Sequence, residues 1–525
     1  MPYFDLHCHP GLKTLFLPQD GQQFSAWHTI DAPNLFGDIL SSQCSLEQLS
    51  RNGDIPLVCI TLHAPEAGMI DQFVIRLAAA TLFRAFMDPE RLREMYSGID
   101  GYQQVFSEEL TNLLKGPADK DQVPAGKKVL FLKDWNDYDP GAQDTVHVVF
   151  NIEGGHNLYD IGDTLADPQK ALYNLKAFID KGFLTLYLTP THLTPNAFVN
   201  HAYGNKILTK GPLLPQGLGI TAAGKSLIDY AYANNILIDV KHMSLVSRLQ
   251  FYHIHNRFYP NKPIVASHMG LTGMPVAEYL GWARRTTPIG PVVEVMSYKY
   301  QWQQAGVSFY PLSINLFSED VIAILNSGGL IGLSMDVRIL GAKDDNGTPQ
   351  FDYLSTAEYN IIALEEDART ATINQLADDL WAGATPVPPR QQDIPATPDF
   401  TQAVAAEATE ILPLEVAPTD TRPNFEAHAK QLAASLLKIL DITRLYALPH
   451  PWNNVCIGSD FDGLVEAVDC CKNATEFSQL VPALIHELEA GAEATGLDLQ
   501  IPAAQIVDQF CYTNAFNFLN KHFGG

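Results

Sequence analysis

The sequence predicts a (β/α)8 barrel of the TIM type, with insertions and a metal site at the C-terminal ends of its strands. Two observations lead there. Eight short apolar runs are spread along 525 residues, with amphipathic helical patterns between them. Histidines and carboxylates then follow those runs one after another, where a barrel builds its reactive face. The runs are Tyr3–Cys8, 56–62 (PLVCITL), 146–152 (VHVVFNI), 183–188 (FLTLYL), 236–240 (ILIDV), 263–267 (PIVAS), 329–335 (GLIGLSM) and 454–459 (NVCIGS). Most are β-branched and apolar throughout, as strands buried on both faces must be. Helical patterns cover 168–181, 221–234, 272–281, 318–327 and 426–441. Gly182, Asn234 and Gly328 or Gly329 fall near helix ends, where a left-handed cap is favoured.

The first run ends in DLHCHP. Alternate side chains of a strand share a face, so His7 and His9 point together and Cys8 points away. Two imidazoles on one face at a strand end can chelate an ion. Each later run brings its own polar group: His63 after the second, Glu153 after the third, His192 after the fourth and His242 after the fifth. His268 follows the sixth, Asp336 the seventh and Asp460 the eighth. Chance would scatter such residues over helices and loops as well. The shared placement favours function for His7, Glu153, His242, His268 and Asp460. A lone histidine after an apolar run is more often a hydrogen-bonded structural group, and His63 and His156 are read so. Asp336 can pair with Arg338, and Asp462 sits in a DG turn.

Composition sets the outer limits. A hydrophobic content of 46% and a charged content of 18% fit a globular chain. One domain over 1–525 is expected, with insertions at about 64–140 and 340–425. The second insertion is acidic and rich in Ala, Pro and Thr, suited to a lid, an oligomer contact or a loose excursion. A formal net charge of −25 excludes nucleic acid and anionic membrane surfaces as partners. No run of eighteen or more apolar residues occurs, and no charged leader precedes the first strand, so the cytoplasm is expected. The seven cysteines lack zinc-knuckle spacing and lie mostly in apolar runs, as buried reduced thiols. The sequon at Asn473 is of a kind common by chance.

Six stretches, in order, carry a likeness: IEGGH, THLTPN, GITAAGKSLIDYA, ILIDVKHMS, PIVASHMG and VCIGSDFDG. With them the sequence resembles the membrane (renal) dipeptidase family of zinc peptidases, within the amidohydrolase superfamily. The likeness runs to about residue 336 and resumes from roughly 426. It implies hydrolysis of dipeptides with two divalent ions, zinc by preference. By motif, His7 and position 9 would hold one ion, Glu153 would bridge, and His242 and His268 would hold the second. His192 would contact the substrate and its developing oxyanion, and Asp460 would handle the proton. Two departures stand out. The family has His-x-Asp where this chain has His7-Cys8-His9. Its carboxylate-holding arginine follows the SH motif sooner than Arg284 and Arg285 do here.

The chemistry is coherent. Two zincs about 3.5–4 Å apart can share a hydroxide of pKa near 7, which attacks the peptide carbonyl. A carboxylate beside it can carry its proton to the leaving nitrogen. A dipeptide or other small molecule is the expected partner, and a homo-oligomer is compatible with the insertions. The alternatives are another amidohydrolase-type activity (on a small amide, lactone or phosphoester) and a non-catalytic barrel that binds metal or ligand.

Overall fold

The apolar runs form a parallel central sheet in a mixed α/β chain. The structure is a computed structural model that describes residues 2–17, 25–32, 39–51, 54–80, 87–97, 100–116, 123, 126–160, 168–204, 210–343, 345, 347–382 and 424–524. Strand β1 (Leu57–Leu62) and strand β3 (Thr145–Glu153) are buried along their whole lengths. They lie parallel, Leu57 opposite His147 through to Leu62 opposite Ile152. Strand β2 (Lys128–Phe131) pairs with the start of β3. Strand β4 (Thr185–Thr189) follows on β3, and β5 (Leu237–Ile238) on β4. A second parallel set joins β6 (Val265–Met269), β11 (Leu330–Leu333) and β13 (Val455–Ile457), with β11 in the middle. Single parallel bridges link Asp239 to Val265, and Cys8 to both Ile60 and Phe461.

Tyr3–Cys8 is extended without forming a ladder. Its backbone bonds alternate between two neighbours: Leu6 N donates to Ile457 O, and Asp5 O accepts from Cys59 N. A segment shared in this way holds a strand's place with only the bridges at Cys8. Close approach nearby depends on glycine. A Cβ at Gly332 would stand 2.0 Å from Ser267 O, and one at Gly458 would stand 1.9 Å from the same oxygen. Only glycine lets both chains close on β6.

The five helical patterns are present as Pro168–Ile179, Ala222–Ala233, Val276–Trp282, Ser318–Asn326 and Phe425–Leu445. Thr221 caps the second, accepting from Gly224 N at 3.0 Å. Gly182 and Gly328 are left-handed as expected, at φ 78° and 68°. At the Asn234–Asn235 pair it is Asn235 that turns, at φ 59°.

A second sheet was not foreseen. Strands β7 (Arg285–Ile289), β8 (Val292–Ser297) and β12 (Gln350–Ser355) form an antiparallel ribbon. Its first hairpin turns on Gly290 at φ 56°, followed by Pro291. A shorter antiparallel pair joins β9 (Tyr300–Gln301) to β10 (Ser308–Phe309). Within 64–140 the described residues hold β2 and four helices, the longest being Tyr102–Leu114. Within 340–425 they hold β12 and the helices Thr356–Ile362 and Glu366–Trp381, while the Pro-rich part, 383–423, lies outside the described residues. All seven cysteines are buried and free. Among the described residues no helix is long and apolar enough to cross a membrane.

Candidate metal centre

The strand ends bring six of the sequence-marked residues into one buried cluster. His7 and His9 leave the first segment on the same side, 0% and 1% exposed, and Cys8 turns the other way with its thiol on Cys59 O. Glu153 is the last residue of β3 and is 2% exposed. His268 lies within β6. His242 and Asp460 follow β5 and β13 in left-handed conformation, at φ 64° and 63°. Few non-glycine residues adopt it, and here both stand beside the cluster. The cluster meets solvent at Asp460, whose side chain is 16% exposed.

Its geometry is that of a chelate. His7 Nε2 and His9 Nε2 stand 3.0 Å apart. Two nitrogens each bound to one ion at 2.0–2.1 Å would be about 3 Å apart. Glu153 Oε1 lies 3.5 Å from His7 Nε2, 3.1 Å from His242 Nε2 and 3.6 Å from His268 Nε2, while Oε2 lies 3.4 Å from His9 Nε2. Asp460 Oδ1 adds distances of 3.3 Å to His9 and 3.8 Å to His7. Among the described residues four groups could each hold an ion: His7 with His9 and Asp460; His7 with Glu153 and His268; Glu153 with His192 and His242; and, beside them, His63 with Glu66 and His192.

Supporting groups aim the ligands. Tyr187 Oη meets His7 Nδ1 at 2.7 Å, and Ser267 Oγ meets His268 Nδ1 at 2.8 Å. Asp239 accepts from Ser267 Oγ at 2.7 Å, from Thr189 Oγ1 at 2.6 Å and from the amides of Ser267 and Lys241 at 3.0 Å each. Such outer contacts fix the orientation of ligand imidazoles.

Charge is distributed to suit cations. Burial holds His242 and His268 well below their ordinary values, helped by His192 and His7 respectively, so both are neutral donors. Burial alone would raise Glu153, but the His7 and His192 charges outweigh it and hold its carboxyl well below the usual range. Burial would push His7 down, yet Glu153 and Asp460 outweigh it and leave His7 above its ordinary value. That proton would have to leave before His7 could bind a metal.

No protein-family model matches the chain, and neither does any curated protein. Solved structures do. A metallopeptidase from Rhodobacter sphaeroides, liganded with a phosphinate mimic of the dipeptide L-Ala-D-Ala, superposes with a TM-score of 0.50 at 14% identity, over 99% of each chain. The chain shares the overall fold of that structure. The probable dipeptidase PvdM from Pseudomonas aeruginosa gives a TM-score of 0.47 at 15% identity, over 100% of this chain and 96% of that one.

Within this fold the remaining sequence-marked residues separate clearly. His192 joins the cluster from the loop after β4, its Nε2 3.9 Å from Glu153 Oε2. Arg284 and Arg285 do not join it. They start the antiparallel ribbon, exposed, with Arg284 over the Trp282 ring and Arg285 3.3 Å from Glu294. Their distance along the chain from His268 is spent on a helix and a turn onto the surface. His63 and His156 are bonded to carbonyls, Nδ1 to Glu153 O at 3.0 Å and Nε2 to Ala64 O at 2.8 Å. Asp336 pairs with Arg338, and Asp462 pairs with Lys13 and accepts from the amides of Gln43 and Cys44.

Two buried groups escaped sequence reasoning. Lys241 is 1% exposed, its Nζ has no hydrogen-bond partner among the described residues, and burial lowers it to about 8. It precedes His242 in DVKH, where a lysine reads as a surface residue. Glu66 is fully buried against His192. Its context, HAPEAG, carries no spacing signal.

Proposed function

We propose that the protein is a metal-dependent peptidase acting on dipeptides, with two divalent ions, zinc by preference, held at the strand ends of a closed (β/α)8 barrel. A single domain over 1–525 with two insertions carries that site. The barrel reading is supported by the bridges at Cys8 and Asp239, which link the two parallel sets at both edges. One observation carries the activity. Four imidazole Nε2 atoms converge on Glu153 and Asp460 at separations an ion would fill, while His9 Nδ1 and His242 Nδ1 have no other partner. This all-nitrogen and oxygen donor set suits zinc and related divalent ions.

His7, His9 and Asp460 would hold one ion, His242 and His268 the other, and Glu153 both. Ions bound there supply an acidified water and a Lewis acid for the scissile carbonyl. The chain does the rest. Asp460, at the mouth of the cluster, takes a proton from the attacking water and returns it to the leaving nitrogen. His192 donates Nε2–H to the carbonyl oxygen and stabilises the charge that develops there. The surrounding strands exclude bulk water, which strengthens both effects.

The test is metal analysis coupled to turnover. Protein stripped with chelator and reconstituted should bind about two zinc equivalents, and only the reconstituted form should cleave free dipeptides. A folded protein that binds no metal, or one that cleaves dipeptides equally well when stripped, would refute the proposal. Metal binding with hydrolysis of other small amides, lactones or phosphoesters in place of dipeptides would move the protein to the wider amidohydrolase class.

A further inference from the structure

Glu66 is completely buried, and all four of its side-chain hydrogen bonds among the described residues go to one short loop, with His63 Nε2 3.9 Å from Oε2. Oε1 accepts from Leu193 N at 3.1 Å, Thr194 N at 3.1 Å and Thr194 Oγ1 at 3.0 Å. Oε2 meets His192 Nδ1 at 2.5 Å. A carboxylate taken out of water costs several kcal/mol unless its oxygens are bonded, and these are. A turn would be tied as well by a neutral amide or hydroxyl. The charge matters only toward His192.

The pair fixes His192 in two ways. An ionised carboxylate only accepts, so Nδ1 must carry a proton, and the ring donates from Nε2 when that nitrogen is protonated as well. The ring is also held by direction: Nε2 is left facing Glu153 Oε2 at 3.9 Å, and the ring lies edge-on to His242 at 4.4 Å between centroids. Glu66 itself stays clear of the reacting region, on the far side of the ring.

We propose that Glu66 is a positioning residue that holds the Nδ1–H of His192 and aims Nε2 at the carbonyl oxygen of an amide substrate lying over Glu153. This rests on the peptidase reading for the substrate, though not for the pairing. The arrangement is a carboxylate–histidine pair of general type, in which the acid sets the tautomer and orientation and offsets the charge of the imidazolium. Glu66 acts through His192 alone.

Glu66→Gln separates this role from a structural one. The amide keeps an oxygen for Leu193 and Thr194, so the loop stays tied, but its NH2 cannot accept the Nδ1 proton. Expected are a fall in kcat of roughly 10², within the range of one acid–base group, and a KM, melting temperature and metal content close to those of the parent. In a His192→Gln background the same change should lower kcat no further. A second readout needs no turnover. Metal-free protein should show an imidazole proton resonance far downfield of the amides, absent in both Glu66→Gln and His192→Gln. Should Glu66→Gln not fold, Glu66→Asp, which draws the oxygen away from Nδ1, takes its place with the same expectations. Unchanged kcat, a fall matched by lost metal or lost melting temperature, or additive effects in the double variant would overturn the proposal. Absence of dipeptide cleavage in the parent would instead refute the peptidase reading, while the resonance still reports on the pair.

Discussion

At one end of the buried cluster, imidazole Nε2 atoms and carboxylate oxygens stand 3.1 to 3.9 Å apart. At the other end His192 and Glu66 touch at 2.5 Å. The residue types are the same and so is the burial. The spacing differs because one set is spread over the ends of separate strands, and the other is drawn together by a loop. An ion with ligands at 2.0–2.1 Å fits among the first set. Between His192 and Glu66 themselves only a proton fits, while His63 Nε2, 3.9 Å from Glu66 Oε2, completes a further group of ligand type at this end. The contrast assigns the two ends to different work: ligation around Glu153, orientation and proton handling around Glu66.

The harshest way to break that contrast is to remove the shared ligand. Glu153→Gln leaves one weak donor where two anionic oxygens stood. Bound metal should fall to at most one equivalent, and turnover should fall by roughly 10³ or more. The Glu66–His192 resonance should survive, since the hydrogen bond of that pair does not pass through Glu153, although loss of the charge 3.9 Å from His192 Nε2 should move it. If elemental analysis of this variant still gave two ions, the bridging role would be wrong.

Asp460→Asn comes next. The sequence suggested a proton carrier only, yet the structure also sets Asp460 Oδ1 beside His7 and His9. Turnover should fall by about 10²–10⁴. Affinity for the ion on the His7 side should weaken, while that on the His268 side holds. Unchanged turnover in fully loaded protein would take Asp460 out of the reaction.

Tyr187→Phe probes how the first end is aimed. It removes the 2.7 Å bond to His7 Nδ1 and keeps the ring, which stacks parallel to His7. Loss of such an outer contact should cost roughly 10–100-fold in metal affinity. A competition titration against a chelator measures it, and equal affinity would show that His7 needs no support.

The two ends also differ in how far the sequence revealed them. His7, His9, Glu153, His242, His268 and Asp460 were legible because short, continuous apolar runs mark buried strands, and each residue lies at or just after the end of such a run in the sequence. The left-handed backbone at His242 and Asp460 was not legible, because neither is glycine. Glu66 was invisible: it is a buried acid whose partners lie 126 to 128 positions away. Arg284 and Arg285 lie away from the cluster for a related reason. Their offset from His268 was measured along the chain, and an unforeseen hairpin carried them to the surface. Eight strand positions could be read from composition. The antiparallel ribbon could not, since its first strand, RTTPI, is polar and exposed.

The gentlest test concerns the residue that sets this chain apart from the motif it resembles. His9 meets Glu153 and Asp460 at 3.4 and 3.3 Å, and its Nδ1 has no partner. Among the described residues no side-chain hydrogen bond from outside the cluster holds its ring, unlike those of His7 and His268. His9→Asp therefore loses no supporting bond and exchanges one ligand type for another that zinc also accepts. It adds a negative charge beside two carboxylates, which raises the cost of the metal-free state and favours occupancy. A carboxylate also surrenders its proton more readily than an imidazolium, so protons compete with the ion less well. Both effects have one sign. In an acid titration of loaded protein, the midpoint of metal release should move to lower pH in His9→Asp, with the stoichiometry unchanged. Movement to higher pH, or release of one ion at neutral pH, would show that the imidazole is required at this position and that the His7–His9 pair is more than a substitute for histidine and aspartate.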